Sequence, residues 1–349
     1  MSQPSSPLPE RLLVVRCGAF GDMVLLTALI RELHAQWRVP VDIITSGPWS
    51  DPLLRGQPGV GEIFTLRSRK RPYWLAPDQW RVVRALHSAA AVPTWFCDGG
   101  DAGKALLSRA GIGASCIVDV NDHRLRPGEH ATEQWRRLAQ ILPQAWASVT
   151  LPGVVTHESG CDLLVNAQQE SELSAWLHAR GLDQRPLILI QMGNKRTMRR
   201  GLRRLAVNYK YWPQERWTLV IRHVRHRCPG HRILLLGTGP ESELNQELVQ
   251  SAGIADLHNV ADDLPVPRLL ALLSQADALI TVDSGPAHAA AAVGCPQVVL
   301  FGRASPQLYR PWGTKGAQVE VLTEELDGAP SMLGIEVATV AAAFDRLAR

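Results

Sequence analysis

The chain has 349 residues, 46% of them hydrophobic, enough for two domains that each bury a core. Its formal net charge of +4 is small for this length, no nucleic-acid partner is expected, and no run approaches the ~18 apolar residues of a membrane helix. The six cysteines (Cys17, Cys97, Cys116, Cys161, Cys228 and Cys295) are scattered with no C-x-x-C pair, which suits reduced thiols in a cytoplasmic protein better than a disulfide framework.

Residues 1–10, MSQPSSPLPE, are polar and rich in Pro and Ser. With no basic start leading into an apolar run, they read as a disordered tail and not as a signal peptide. RLLVVR (11–16) reads as a buried strand, 22–36 as a helix, VDIITS (41–46) and EIFTL (62–66) as further strands. A helix near 77–89, a strand near 93–97, a strand at CIVDV (116–120) and a helix over 130–141 follow. Short apolar strands alternating with amphipathic helices predict a parallel sheet covered on both faces. Residues 142–161 lack periodicity and carry Pro143, Pro152 and two glycines, so they read as a linker. The expected domains are therefore 11–150 and 160–335, with 336–349 as a terminal helix.

The second half repeats the pattern. PLILIQ (186–191) is a strand, 214–227 a helix, HRILLLG (231–237) a strand, 241–251 a helix, LHNV (257–260) a strand and 267–275 a helix. ALITVDSGPAHAAAAVGCPQVVLFG (278–302) then reads as a buried strand, a Ser-Gly-Pro turn, a small-residue helix and a second buried strand. AQVEVL (317–322) closes the sheet and 335–347 forms the last helix. Two doubly wound α/β units of comparable size are expected.

In such sheets ligands bind outside the carboxyl ends of the strands. Asp22 stands there, after the first strand and the turn Cys17-Gly18-Ala19-Phe20-Gly21, where Gly18 and Gly21 allow a tight turn. By residue type it is either a helix cap or a site carboxylate. Asp283, Ser284 and Gly285 end a second strand and begin a helix whose backbone N–H groups suit an anion. Strand-end capping is the alternative. His288, in that helix's first turn, is a buried structural histidine or a substrate contact. Lys210 precedes Tyr211-Trp212-Pro213 in a loop, and Gly193 with Asn194 follows the strand 186–191. Gly237-Thr238-Gly239-Pro240-Glu241 is a G-x-G turn without the third glycine, a weak dinucleotide signal.

Charge is unevenly spread. From Asn194 to Lys210 there are seven basic residues (Lys195, Arg196, Arg199, Arg200, Arg203, Arg204 and Lys210) and no acid. A smaller cluster holds Arg67, Arg69, Lys70 and Arg71. His223, His226, Cys228 and His231 form no closed ligand set, so no metal site is expected. The chain has no D-x-D motif, the usual means by which metal-dependent sugar transferases hold a nucleotide diphosphate. The first turn is G-x-x-G-D and not the G-x-G-x-x-G of a nicotinamide dehydrogenase.

Three blocks, D-S-G-P-x-H-x-A-A-A-x-G-x-P-x-V-x-L-F-G (283–302), RCGAFGDMVLLTALIREL (16–33) and KYWPQERW (210–217), resemble the bacterial heptosyltransferase family, over roughly 11–312. The resemblance implies a GT-B architecture, two Rossmann-like domains facing a central cleft, in which a C-terminal helix often crosses back to the first domain. It implies an inverting, metal-independent transfer from ADP-heptose, with no cofactor. Gly21, Asp22 and Thr27 match the family's G-D-x-x-x-x-T block, whose Asp is the general base. Lys210 matches the Lys associated with the donor phosphates. Asp283, Ser284, Gly285 and His288 fall in the ADP-binding signature.

Gln191-Met192-Gly193-Asn194 resembles the family's H-P-G-A segment with two departures, and the turn from Gly237 matches the one near the adenosine, where an acid, Glu241 or Glu243, binds ribose hydroxyls or else complements the helix dipole. The link from Gly193 to the Lys210 block is short in the family. Here its basic residues make Lys195 or Arg196 a second phosphate candidate, and the insert a candidate lid, an anionic-acceptor surface or a solvated loop with no specific role. The implied acceptor is an anionic glycolipid, Kdo-lipid A or a heptosylated core, met at the cytoplasmic face of the inner membrane by a peripheral protein. The other readings are a transferase of the same family with another nucleotide sugar or a protein acceptor, and a non-catalytic nucleotide- or glycolipid-binding protein.

Overall fold

The computed structural model describes residues 8–69, 71–87, 92–152, 159–183, 185–193 and 210–347. The site candidates Asn194 and Lys195, and the whole basic insert 195–209, lie outside these. The chain divides into two compact units, Met1–Cys161 and Asp162–Arg349, with the division at the end of the expected linker. Among the described residues no helix is long and apolar enough to cross a membrane.

The first unit is built on five parallel strands: β1 (Leu12–Val15), β2 (Val41–Thr45), β3 (Val60–Thr65), β4 (Thr94–Phe96) and β5 (Ile117–Asp119). Their order across the sheet is β3-β2-β1-β4-β5. Every residue of β1, β2 and β4 is buried, because helices cover both faces and leave no polar side to alternate. Helix Phe20–Trp37 buries thirteen of its eighteen residues and packs on helix Ala131–Ala139. Trp37 meets Trp95 of β4 edge to face at 6.0 Å, and the Trp95 indole N–H donates to the carbonyl of Leu138 at 3.0 Å.

The second unit holds six parallel strands: β6 (Leu187–Gln191), β7 (Arg232–Leu235), β8 (Leu257–Asn259), β9 (Ala278–Val282), β10 (Gln297–Leu300) and β11 (Val319–Leu322). Read from the β8 edge the order is β8-β7-β6-β9-β10-β11. Counted within each unit, the orders are 3-2-1-4-5 and 3-2-1-4-5-6, the doubly wound pattern. Both sheets therefore reverse direction beside their first strand, at β1/β4 and at β6/β9. Loops leaving the carboxyl ends there diverge and open a crevice. Helix Gly285–Val293 lies tight against its sheet because Ala287, Ala289, Ala290, Ala291 and Ala292 are fully buried and carry only a methyl group.

Helix Val337–Arg346 packs on helix Gln214–Arg227 and on β10 and β11 of the second unit. Val340, Ala343, Phe344 and Leu347 complete the same core as Trp217, Val220 and Val224. The Trp212 indole N–H donates to the carbonyl of Ile335 at 3.0 Å, and His223 Nε2 lies 3.1 Å from Asp345. The apolar stripe of the last helix thus completes the second core, so the second domain runs on past 335. Two helices begin earlier than read: the first at Phe20 and not at Asp22, and the one carrying Glu241 at Gly239, with Thr238 as its N-cap. Helices Ser50–Leu54, Asp101–Arg109 and Ala167–Ala179 were not expected.

Candidate active site

In the second unit the carboxyl ends of β6 and β9 gather most of the residues singled out in the sequence. The Lys210 ammonium lies 2.6 Å from Asp283 Oδ2 and donates to the Asp283 carbonyl oxygen at 2.7 Å. Both side chains are largely buried, at 18% and 9% exposure. A buried ion pair holds its geometry because breaking it strands a charge. The Lys210 block is anchored beneath: Trp212 and Trp217 are fully buried and meet edge to face at 4.9 Å. Those aromatic residues are core, and they hold the loop that carries the lysine.

Ser284 is the N-cap of helix Gly285–Val293, and its side chain caps no backbone N–H. Ser284, Gly285 and Pro286 are partly exposed, whereas His288 is buried one turn in. The helix start therefore presents backbone N–H groups and the positive end of its dipole, next to an ammonium.

One strand away, β7 leads into a second cluster. Gly193, Gly237 and Glu241 meet. A Cβ on Gly193 would lie 2.3 Å from Glu241 Oε1, and one on Gly237 would lie 3.1 Å from Glu241 Cβ. Both glycines thus make room for the glutamate. Glu241 is 3% exposed. Its Oε2 accepts from the Thr238 N–H at 2.7 Å and the Thr238 hydroxyl at 2.8 Å. Its Oε1 is buried and has no hydrogen-bond partner among the described residues. Burial pushes the carboxyl pKa up, against the pull of the Thr238 donors. An orphaned carboxylate oxygen is costly unless a ligand hydroxyl supplies the missing proton donor. β6 lies between β7 and β9, and Glu241 reaches Gly193 just past the end of β6, so the two clusters stand at neighbouring strand ends.

In the first unit Asp22 sits in the first turn of its helix, and Gly21 is the helix's second residue. Asp22 Oδ2 accepts the Ala19 N–H at 2.8 Å, and Oδ1 lies 3.5 Å from an Arg16 guanidinium nitrogen. Its side chain remains 42% exposed. Gly18 is required here, since a Cβ would lie 2.6 Å from Asp22 Cβ. Thr27 points inward, donating to the carbonyl of Val24 at 2.7 Å. Arg16 is itself fixed, donating to the Cys97 carbonyl at 2.7 Å with its guanidinium 5.8 Å from the Trp135 ring centre.

Three residues here escaped the sequence reading: Arg16, Cys17 and Asp98. Asp98 follows β4 just as Asp22 follows β1, a position that alone marks it. Arg69 bridges 3.0 Å to Asp98 and donates to the Cys17 carbonyl at 3.2 Å. Cys17, Ser46, Thr65, Arg67, Arg69 and Arg71 line an open concavity of about 1020 Å³ at the ends of β1, β2 and β3. The Cys17 thiol is pushed up by burial, with the Arg69 hydrogen bond pulling the other way.

Comparison with known proteins bears on both units. Residues 109–328 match the model of glycosyltransferase family 9 (heptosyltransferase). The chain belongs to that family. Lipopolysaccharide heptosyltransferase 3 of Escherichia coli is 32% identical over 113 residues, 32% of each chain, so the match spans about a third of that relative's length. Among solved structures, E. coli ADP-heptose lps heptosyltransferase II superposes with a TM-score of 0.71 at 20% identity, over 96% of this chain and 97% of that one. A glycosyl transferase family 9 protein from Veillonella parvula gives a TM-score of 0.77 at 17% identity over 98% of both. These two likenesses establish the fold: two Rossmann-like α/β domains, the pair from which GT-B transferases are made.

Proposed function

We propose that this protein transfers heptose from ADP-heptose to an anionic lipopolysaccharide inner-core glycolipid, with inversion and without a metal ion. The observation that carries this reading is the Lys210–Asp283 pair at the start of helix Gly285–Val293. It sets a fixed ammonium beside free backbone N–H groups at the switch point of a Rossmann sheet, an arrangement suited to a diphosphate. Asp283 holds the lysine in place, and the lysine offsets the charge that grows on the departing ADP. The orphaned Glu241 Oε1, beside Gly193 at the neighbouring strand end, suits the ribose hydroxyls of the same nucleotide.

The acceptor belongs to the first unit. Asp22 keeps an exposed carboxylate at the end of β1 and takes the proton of the attacking hydroxyl, while Arg16 holds it in place. The arginine-lined concavity suits phosphate or carboxylate groups on a glycolipid, met at the cytoplasmic face of the inner membrane. Family membership supports this reading, as do the ADP-heptose and lipopolysaccharide in the names of the relatives.

The test is a melting-temperature screen followed by turnover on lipid A core acceptors. ADP at ~100 times its dissociation constant adds about 2.7 kcal/mol of stability, and EDTA leaves that unchanged. Stabilisation by UDP and not by ADP would overturn the donor assignment.

A further inference from the structure

We propose that Trp74, Leu75 and Trp80, flanked by Arg81, Arg84 and Arg109, form a surface that docks the first unit onto an anionic phospholipid bilayer. Trp74 is 69% exposed, Leu75 48% and Trp80 44%. Large apolar groups gathered on an otherwise polar surface mark an interaction site.

These side chains are held out by built structure. Residues Tyr73–Leu75 form one 3-10 turn that leads into helix Pro77–His87. The Trp80 indole N–H donates to the Tyr73 carbonyl at 2.6 Å, and the two rings meet edge to face at 6.5 Å. The Arg109 guanidinium lies 4.9 Å from the Tyr73 ring centre. Below, Gln79 Nε2 donates to the carbonyls of Ser68 and Arg71, and Asp78 accepts the N–H groups of Arg67 and Ser68. The turn is thus tied to the start of its own helix.

Charge decides the occupant. From Arg67 to His87 the sequence has six Lys or Arg residues and one acid, Asp78. That single carboxylate offsets one of the six cations and leaves the segment strongly basic. Arg81, Arg84 and Arg109 are exposed. Trp and Tyr settle at the headgroup level of a bilayer, an apolar body with a polar tip, and each arginine near an anionic leaflet adds attraction. A folded protein partner would require acids placed to match this arc, whereas an anionic membrane supplies charge at every position.

The surface also continues into the site. Arg71 lines the concavity at the strand ends and Tyr73 begins the docking turn two residues later. A bilayer on this face would bring a membrane-anchored glycolipid to the concavity by a short path. In that respect the inference rests on the proposed acceptor, but its test does not require one.

The experiment uses the full chain and acceptor-free vesicles, either phosphatidylcholine alone or with one third phosphatidylglycerol, read by co-sedimentation. The wild-type protein binds the anionic vesicles and not the neutral ones. Arg81→Gln with Arg84→Gln lowers the partition coefficient about 30-fold at low salt, and the loss shrinks as salt screens the surface. Trp74→Ser with Leu75→Ser lowers it about tenfold at every salt concentration. Both variants keep the wild-type ADP-induced melting shift, which shows that they fold and leaves the donor reading untouched. The proposal falls if the wild-type protein ignores anionic vesicles, or if both variants bind as it does. It falls equally if the patch instead drives self-association that Trp74→Ser with Leu75→Ser abolishes.

Discussion

The two sheets share one winding and differ in how their carboxyl edges are furnished. At the second edge the charges are enclosed: Lys210 and Asp283 are 18% and 9% exposed, and Glu241 is 3% exposed. At the first edge they stay open: Asp22 is 42% exposed and Arg69 38%, beside a concavity of about 1020 Å³. An enclosed charge must have a fixed partner, so it suits a ligand of one shape, such as a nucleotide. An open cationic edge tolerates a larger ligand and leaves its carboxylate free to exchange a proton. On the proposed function, the same topology serves recognition in one unit and chemistry on a bulky acceptor in the other.

The sharpest way to break that division is Asp22→Asn. Turnover should fall by ~10²–10⁴-fold while the ADP-induced melting shift stays as in the wild type. Near-normal turnover would leave Asp22 as only the helix cap that its bond to Ala19 also makes it. Lys210→Ala comes next. It removes the cation beside the leaving diphosphate and leaves Asp283 buried without its partner. Turnover should fall by ~10²–10³-fold and ADP should bind more weakly. Intact ADP affinity, by calorimetric titration, would move the phosphate site away from β9.

Glu241→Gln gives a smaller change with a distinctive sign. Burial raises the Glu241 pKa above its ordinary 4.5, so the folded protein holds that proton to higher pH than the unfolded chain does. Its contribution to stability is therefore favourable at low pH and is lost as pH rises through the folded pKa. The glutamine variant should melt higher than the wild type at neutral pH without ligand, yet bind ADP about tenfold more weakly, having lost a charge-assisted bond to ribose. A variant with unchanged ADP affinity would make Glu241 a structural residue of the Thr238 turn.

Much of this was legible in the sequence because buried parallel strands are continuous apolar runs and their ends are marked by glycine and aspartate. Asp22, Lys210, Glu241 and Asp283 were each visible as strand-end or turn residues. Their pairing was not. Lys210 and Asp283 are 73 positions apart, and nothing in local spacing joins them. Nothing in local spacing showed that Gly193 makes room for the Glu241 carboxylate, which comes from the helix after β7. The last helix was legible as a helix, and its apolar face fits the core around Phe344 and Trp217. Helix Ala167–Ala179 was missed because only Leu173, Trp176 and Leu177 are buried, too few for a clear period.

The smallest effect probes the open edge with its own thiol. Of the six cysteines, Cys17 alone is partly exposed and the other five are buried. Burial pushes Cys97 and Cys295 up to about 12, so they stay protonated and shielded near neutral pH. In the folded protein at mildly alkaline pH, a thiol reagent should therefore modify Cys17 alone. It should do so more slowly than a free thiol, because burial raises its pKa too. The Arg69 hydrogen bond works against that rise, so Arg69→Gln should slow labelling further at fixed pH, by less thiolate and not by less access. Lys210→Ala should leave the rate alone, since it alters only the enclosed edge. Equal labelling of Cys17 and Cys97 would mean that β1 and β4 part readily, and the first edge would then be open through mobility and not by construction.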